Sequence, residues 1–301
     1  MAPQHIASAD EFERMLDGLD TVLFDCDGVI WHGNKLIDGV AEVLQLLRQR
    51  GLKLIYCTNN ATKSREDFKA KFDQLGVEVE LDDLFGSAFA TAGYLKSVLK
   101  LPADKKAFVV GEAGLEHELD TVGIKHIGGT DADANESMQG LDFSTIKLDD
   151  DVGAVICGMD TRINFRKLCL AHQYLLRDEV LFLLTNDDST FPTPTTTFPG
   201  SGALSAVLRY SQPHRKPIVV GKPNKPMLDC ILERHHLDPK RCLMVGDRLD
   251  TDIAFGVNGG LRTLLTLTGV NSLADAQAPD AVARPDYVVD SLGDLRILSR
   301  Q

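Results

Sequence analysis

Two aspartates, Asp25 and Asp27, stand in the string VLFDCDGVIWHG, directly after an apolar run and directly before a glycine. A short apolar run of this kind reads as a buried strand, so both acids emerge at its carboxyl end, where open α/β sheets gather their ligands. Side chains two apart on an extended chain point the same way, so the D-x-D spacing brings two carboxylates to one site. One can attack while the other carries a proton. A calcium loop is the competing reading of an acidic DxDG. An EF-hand, however, needs further oxygen ligands, a glutamate at its twelfth position and flanking helices, whereas Val29, Ile30 and Trp31 follow here and a strand precedes.

Three further strand ends carry groups suited to the same site. CTNNATKS sets Thr58, Asn59 and Asn60 at the end of the second apolar run, where a hydroxyl, an amide and turn N–H groups can cradle phosphate oxygens. Lys222, in PIVVGKPNKP, follows another β-branched run, and its ammonium can neutralise charge on a phosphoryl group and a nearby carboxylate. A Walker A loop is excluded, because Pro223 takes the Ser/Thr place and Lys216 stands five residues before Gly221. Asp247 and Asp252, in CLMVGDRLDTDIAFG, offer oxygen ligands of the kind Mg²⁺ takes, one or two carboxylates beside water and substrate phosphate. Helix N-capping by Asp250, Thr251 or Asp252 is compatible with that reading.

The elements that must position these residues follow an alternation of short apolar runs with helical periods, the pattern of a doubly wound parallel sheet with crossover helices. Strands are expected at 21–24 and 53–57, and again at 218–220, 242–245, 262–267 and 287–289. Helices are expected near 39–50, 65–75, 226–236 and from Thr251. Between the two sets, AFVVGEAGLEHEL and AVICGMDTRINFRKL each read strand, glycine turn, helix. They point to an inserted α/β domain with a weak internal repeat, its exposed loops at 128–140 and 189–200. The expected division is therefore a core of residues 1–99 and 210–301 with an insert of residues 100–209.

Composition bounds the partners. The 301 residues carry 44 acidic against 32 basic side chains, a formal charge of −12, which disfavours nucleic acid and acidic membrane surfaces. The six cysteines show no metal-binding spacing and fall mostly in apolar runs, as in a reducing cytosol. The N-terminal stretch is polar and amphipathic, and no apolar segment approaches the ~20 residues of a membrane span, so a cytoplasmic location is the expectation.

Taken in order, DxDG, T-N-N, the lysine and GDRLDTD resemble the haloacid-dehalogenase (HAD) superfamily of aspartate-dependent phosphotransferases. The longer strings DCDGVIWHG, CTNN, VVGKP and GDRLDTDIAFG are similar to its eukaryotic 4-nitrophenylphosphatase, phosphoglycolate phosphatase and pyridoxal phosphate phosphatase group, over nearly the whole chain. The resemblance implies a Rossmann-like core, an α/β cap and hydrolysis of small phosphorylated metabolites. It implies that Asp25 is the nucleophile and Asp27 the acid and base. Mg²⁺ is to be held by the Asp25 carboxylate, the Asp27 main-chain carbonyl and Asp247, with Asp252 behind them. Thr58 and Asn59 are to bind the phosphoryl group with Lys222, and Asn60 to orient the loop or reach substrate. The cap implies homodimerisation.

Phe191, before a proline in the insert, aligns with the position where relatives carry histidine or leucine, and is expected to form an apolar wall favouring phospho-acids such as 2-phosphoglycolate over pyridoxal phosphate. A phosphotransferase or phosphomutase, a protein phosphatase and a disabled scaffold acting as a regulatory binding protein are the competing functions; the last usually loses a catalytic side chain, and none is lost here. Cys26 is expected to point away from Asp25 into packing. For Trp31, lining the entrance and simple packing both stay open.

Overall fold

The computed structural model describes residues 3–136, 146–192 and 196–298. In chain order the strands are β1 (Gln4–His5), β2 (Thr21–Phe24), β3 (Trp31–His32), β4 (Lys35–Leu36), β5 (Lys53–Thr58), β6 (Leu84–Gly86), β7 (Lys106–Val110), β8 (His126–Gly128), β9 (Val152–Cys157), β10 (Leu181–Leu184), β11 (Thr190–Pro192), β12 (Thr197–Pro199), β13 (Ile218–Val219), β14 (Cys242–Gly246), β15 (Arg262–Thr266) and β16 (Tyr287–Val289). By its contacts the chain forms two compact units. The first comprises residues 1–58, 68–85 and 222–301, and the second residues 59–67 and 86–221.

The first unit is built on a seven-stranded sheet of order β1-β16-β15-β14-β2-β5-β6. Its pairings from β1 through β5 are parallel. The chain winds from β2 toward β5 on one side and from β14 toward β16 on the other, so the order reverses beside β2. Ligand crevices open at the carboxyl ends of strands at such a point. Both faces are covered, which is why the strands are apolar throughout and not alternating. Val22, Phe24, Val245 and Leu264 pack into one core with Phe12, Leu44, Phe68 and Phe72, whereas Leu265 and Val288 face a second cluster with Ile253 and Ala276.

The second unit carries a parallel five-stranded sheet of order β13-β10-β9-β7-β8. Phe108, Val155, Phe182 and Leu184 form its core with Tyr174 and Leu175 of the helix Phe165–Leu175. Two expectations change here. The strand at 218–220 pairs with β10 in this sheet and does not begin the second half of the core. The unit accordingly runs to Gly221 and takes in residues 86–99 and the short segment 59–67, beyond the expected 100–209. An apolar run announces a strand but not the sheet that will hydrogen-bond it.

The Thr/Pro-rich segment 189–200 contains an antiparallel hairpin, β11 against β12, with Phe191 opposite Phe198. Of the segment 128–140, residues 133–135 form a 3₁₀ turn and residues 137–140 lie outside the described residues. The helix expected from Thr251 begins as a π turn, Leu249–Ile253, before the α-helix Ala254–Gly259. No described helix is long and apolar enough to cross a membrane.

Candidate active site

The first unit brings Asp25, Lys222, Asp247 and Asp252 together, all buried. Asp25 leaves β2 and Asp247 leaves β14, and these strands are neighbours in the sheet. The ladder continues one step past β2, with the Asp25 N–H donating to the Val245 carbonyl at 2.9 Å, so the nucleophile candidate has a fixed main chain. Lys222 Nζ donates to Asp25 Oδ1 at 2.5 Å, to Asp252 Oδ1 at 2.8 Å and to the Cys57 carbonyl at 2.9 Å. Three acceptors thus surround an ammonium that has three hydrogens to give. Although burial alone would lower it, the Lys222 pKa is held well above its ordinary value by the Asp25 and Asp252 carboxylates.

Asp252 ties the turn together. Its Oδ2 accepts the N–H groups of Asp247 and Arg248, each at 3.1 Å, while its other oxygen holds Lys222. The π turn around it, Leu249–Ile253, opens the helix start by one residue, a distortion frequent at functional sites.

The acids of Asp25, Asp247 and Asp252 offer ligand atoms within 4.8 Å of one another. Burial raises Asp25 despite the pull of Lys222, with Asp252 and Asp247 adding to the rise, and burial followed by the Asp252 charge raises Asp247 to about 7. Three carboxylates around one ammonium are more negative charge than a dry pocket keeps ionised, and the imbalance suits a hard divalent cation. Since both Asp252 oxygens are engaged by N–H donors, the residues fit a magnesium ion held through Asp25 and Asp247.

The Asp27 carboxylate is not part of this cluster. Its Oδ1 accepts the Trp31 indole N–H at 2.8 Å, and its side chain is 49% exposed. The metal role expected of Asp27 concerns its main-chain carbonyl and not this carboxylate. Thr58 closes β5 and is buried. Asn59, next in the chain, donates from its amide to Asp188 Oδ1 at 3.0 Å, and its carbonyl accepts from Ser87 Oγ at 2.6 Å and Asn186 Nδ2 at 2.7 Å. Its side chain and carbonyl therefore hold the loop. Asn60 Oδ1 accepts from the N–H and hydroxyl of Thr62, at 2.9 and 2.7 Å. Phe191 lies in the second unit, stacked on Phe198 with ring centroids 5.8 Å apart.

Sequence reasoning passed over the segment 268–271, after β15. The Val270 N–H donates to Asp247 Oδ2 at 2.8 Å, and the Asn271 N–H to the Asp247 carbonyl at 3.1 Å. A Cβ on Gly269 would stand 1.8 Å from Asp247 Oδ2, so only glycine admits the carboxylate there. The signal was present as a strand followed by Thr-Gly. Cys26 packs in the core as expected, and burial, then Asp25 and Asp27, push its thiol well up, against a reactive role.

Residues 22–125 match the model of the haloacid dehalogenase-like hydrolases, and residues 219–295 a second, HAD-hydrolase-like model. The chain is 46% identical over 291 residues to the 4-nitrophenylphosphatase of Schizosaccharomyces pombe, covering 96% of this chain and 97% of that protein. It belongs to the haloacid dehalogenase-like hydrolases. The chloroplastic phosphoglycolate phosphatase 1A of Arabidopsis thaliana is 40% identical, with 98% and 80% covered. The glycerol phosphate phosphatase of Mycobacterium tuberculosis, solved in complex with magnesium, superposes with a TM-score of 0.77 at 29% identity, covering 94% of this chain and 78% of that one. Within the HAD family, this chain is a phosphoric monoester hydrolase with the Rossmann-like core.

Proposed function

We propose that this HAD phosphatase hydrolyses small phospho-acids of the 2-phosphoglycolate type, and 4-nitrophenyl phosphate, through a phospho-enzyme on Asp25. The observation that carries the reading is the buried set in which Lys222 bridges Asp25 and Asp252 with Asp247 alongside. In the first half-reaction an Asp25 oxygen bonds to phosphorus while the bond from phosphorus to the alcohol oxygen breaks. Asp27 gives its proton to the departing oxygen. In the second, water attacks the aspartyl phosphate, Asp27 takes the water's proton, and phosphate leaves with Asp25 restored. Lys222 draws charge from the nucleophile and the phosphoryl oxygens, and the Thr58 hydroxyl and Asn59 N–H receive those oxygens. Mg²⁺ held by Asp25, Asp247 and the Asp27 carbonyl would supply the charge that lets two anions meet.

Selection among alcohols falls to the hairpin of Phe191 and Phe198, which are 38% and 49% exposed. An apolar wall of this kind favours a small phospho-acid over pyridoxal phosphate. The second unit also exposes Phe165, Val207 and Tyr210 on two helices and Leu176 at the end of the first, which supports a homodimer formed through it. Six free thiols agree with a cytoplasmic location.

The deciding experiment is a panel of 2-phosphoglycolate, glycerol 3-phosphate, pyridoxal phosphate and 4-nitrophenyl phosphate, assayed with Mg²⁺ and with EDTA. Preference for 2-phosphoglycolate, lost in EDTA, is expected; equal turnover of pyridoxal phosphate, or activity in EDTA, would refute the reading.

A further inference from the structure

The Asp27 carboxylate lies in a small constellation that the proposed chemistry does not yet use. After Asp27 the chain turns back through Gly28, whose φ is +89°, with the Gly28 N–H on the Trp31 carbonyl at 2.8 Å and the Ile30 N–H on the Cys26 carbonyl at 2.9 Å. The turn returns Trp31 to Asp27, and the indole N–H meets Oδ1 at 2.8 Å. Trp31 is fully buried and packs edge-on against Phe72, with centroids 4.8 Å apart; Phe72 in turn packs on Tyr56 at 4.7 Å. Lys71 joins from the helix Arg65–Gln74. Its Nζ stands 3.9 Å from the centroid of the Trp31 ring and 4.0 Å from Asp27 Oδ1. The lysine is only 14% exposed, whereas the aspartate beside it is 49% exposed.

We propose that Trp31 and Lys71 are positioning residues for the acid step, anchoring Asp27 Oδ1 so that Oδ2 carries the proton to the departing alcohol. The proposal rests on Asp27 being the general acid. A half-exposed aspartate on a turn would otherwise sample several rotamers, and each lowers the fraction of encounters in which acid and leaving oxygen are aligned. The indole is a good anchor because it is immobilised by packing and has one donor to give. Lys71 stabilises the ring from its face and the carboxylate from its side. In the step itself, the proton passes from Oδ2 to the alcohol oxygen as that oxygen takes the electron pair of the breaking bond to phosphorus. Asp27 is left as the carboxylate that Trp31 and Lys71 are placed to hold.

An anchor of this kind has a signature that a purely structural role lacks. A 4-nitrophenolate leaves without help, but an alkoxide such as that of glycolate needs the proton. The test measures kcat/KM, which reports the steps through alcohol release, on 2-phosphoglycolate and 4-nitrophenyl phosphate for Trp31→Phe, Lys71→Met and Asp27→Asn. Trp31→Phe keeps the ring and removes the donor, and Lys71→Met keeps the stem and removes the charge.

Trp31→Phe is expected to lower the phosphoglycolate value ~10-fold more than the nitrophenyl value, Lys71→Met to act in the same direction by a few fold, and Asp27→Asn by ~10²-fold or more. Equal losses on both substrates for Trp31→Phe and Lys71→Met, with Asp27→Asn still discriminating, would overturn the positioning role alone. Equal losses in Asp27→Asn would overturn the assignment of the acid and the inference with it. If Trp31→Phe does not fold, Lys71→Met decides by the same ratio.

Discussion

Each unit of this phosphatase buries a lysine against an aspartate, and the two pairs differ in their arithmetic. In the second unit Lys167 Nζ meets Asp160 Oδ2 at 2.7 Å, with both side chains fully buried. Asp160 Oδ1 accepts the Arg162 N–H, and Lys167 also reaches the Arg162 carbonyl. One cation there answers one anion. In the first unit Lys222 answers Asp25 and Asp252, and Asp247 stands within reach of both. The balanced pair is a structural tie. The unbalanced one is the candidate site, with a surplus carboxylate for a proton or a metal to neutralise.

The sharpest way to break this comparison is at Asp25. Asp25→Asn removes the proposed nucleophile, and kcat should fall on the order of 10⁴-fold or more on every substrate, measured by phosphate release. Removal of divalent metal comes next. EDTA should cost about 10³-fold in rate, recovered by excess Mg²⁺. Mg²⁺ should also raise the melting temperature of the wild-type protein, since the proposed site exists in the fold and not in the open chain, and should do so much less in Asp247→Asn.

Charge deletion at the two lysines then separates the pairs. Lys222→Met should lower kcat/KM by ~10²- to 10³-fold. Lys167→Met should leave kcat/KM within about twofold but cost roughly 3–5 kcal/mol of stability in urea denaturation, because it strands a buried aspartate. An activity loss in Lys167→Met as large as that in Lys222→Met would undo the distinction. The smallest effect belongs to the exposed hairpin. Phe191→His should shift the kcat/KM ratio of 2-phosphoglycolate to pyridoxal phosphate by several fold, within the ~1–3 kcal/mol that an apolar pocket commonly discriminates; an unchanged ratio removes Phe191 from specificity.

How much of this was legible beforehand follows from which interactions are local. Asp25, Thr58 and Asp247 could be placed because an apolar run, a polar residue and a turn mark a strand end in any parallel sheet, and β2, β5 and β14 are neighbours. For Lys222 the expectation differs in one respect: the strand before it, 218–220, belongs to the other sheet. Lys222 follows β13, which pairs with β10, and pairing between strands distant in sequence leaves no trace in either strand's composition. The bonds of Asp252 to Lys222 and to two N–H groups join residues far apart in sequence to a local turn, and the sequence alone does not announce them.

The sequence by itself determined the reaction: an acid pair, a hydroxyl, a lysine and further acids at strand ends in an order that one family uses. Tertiary structure decided the rest. It put two carboxylates on one ammonium with a third within 4.8 Å of them, set Gly269 and the Val270 N–H against Asp247, and turned Asp27 onto Trp31 with Lys71 beside it. The reason is physical. Side-chain type and spacing fix which face and which strand end a group occupies, but the charge balance and hydrogen bonding of a buried group depend on what packing brings to it from elsewhere in the chain.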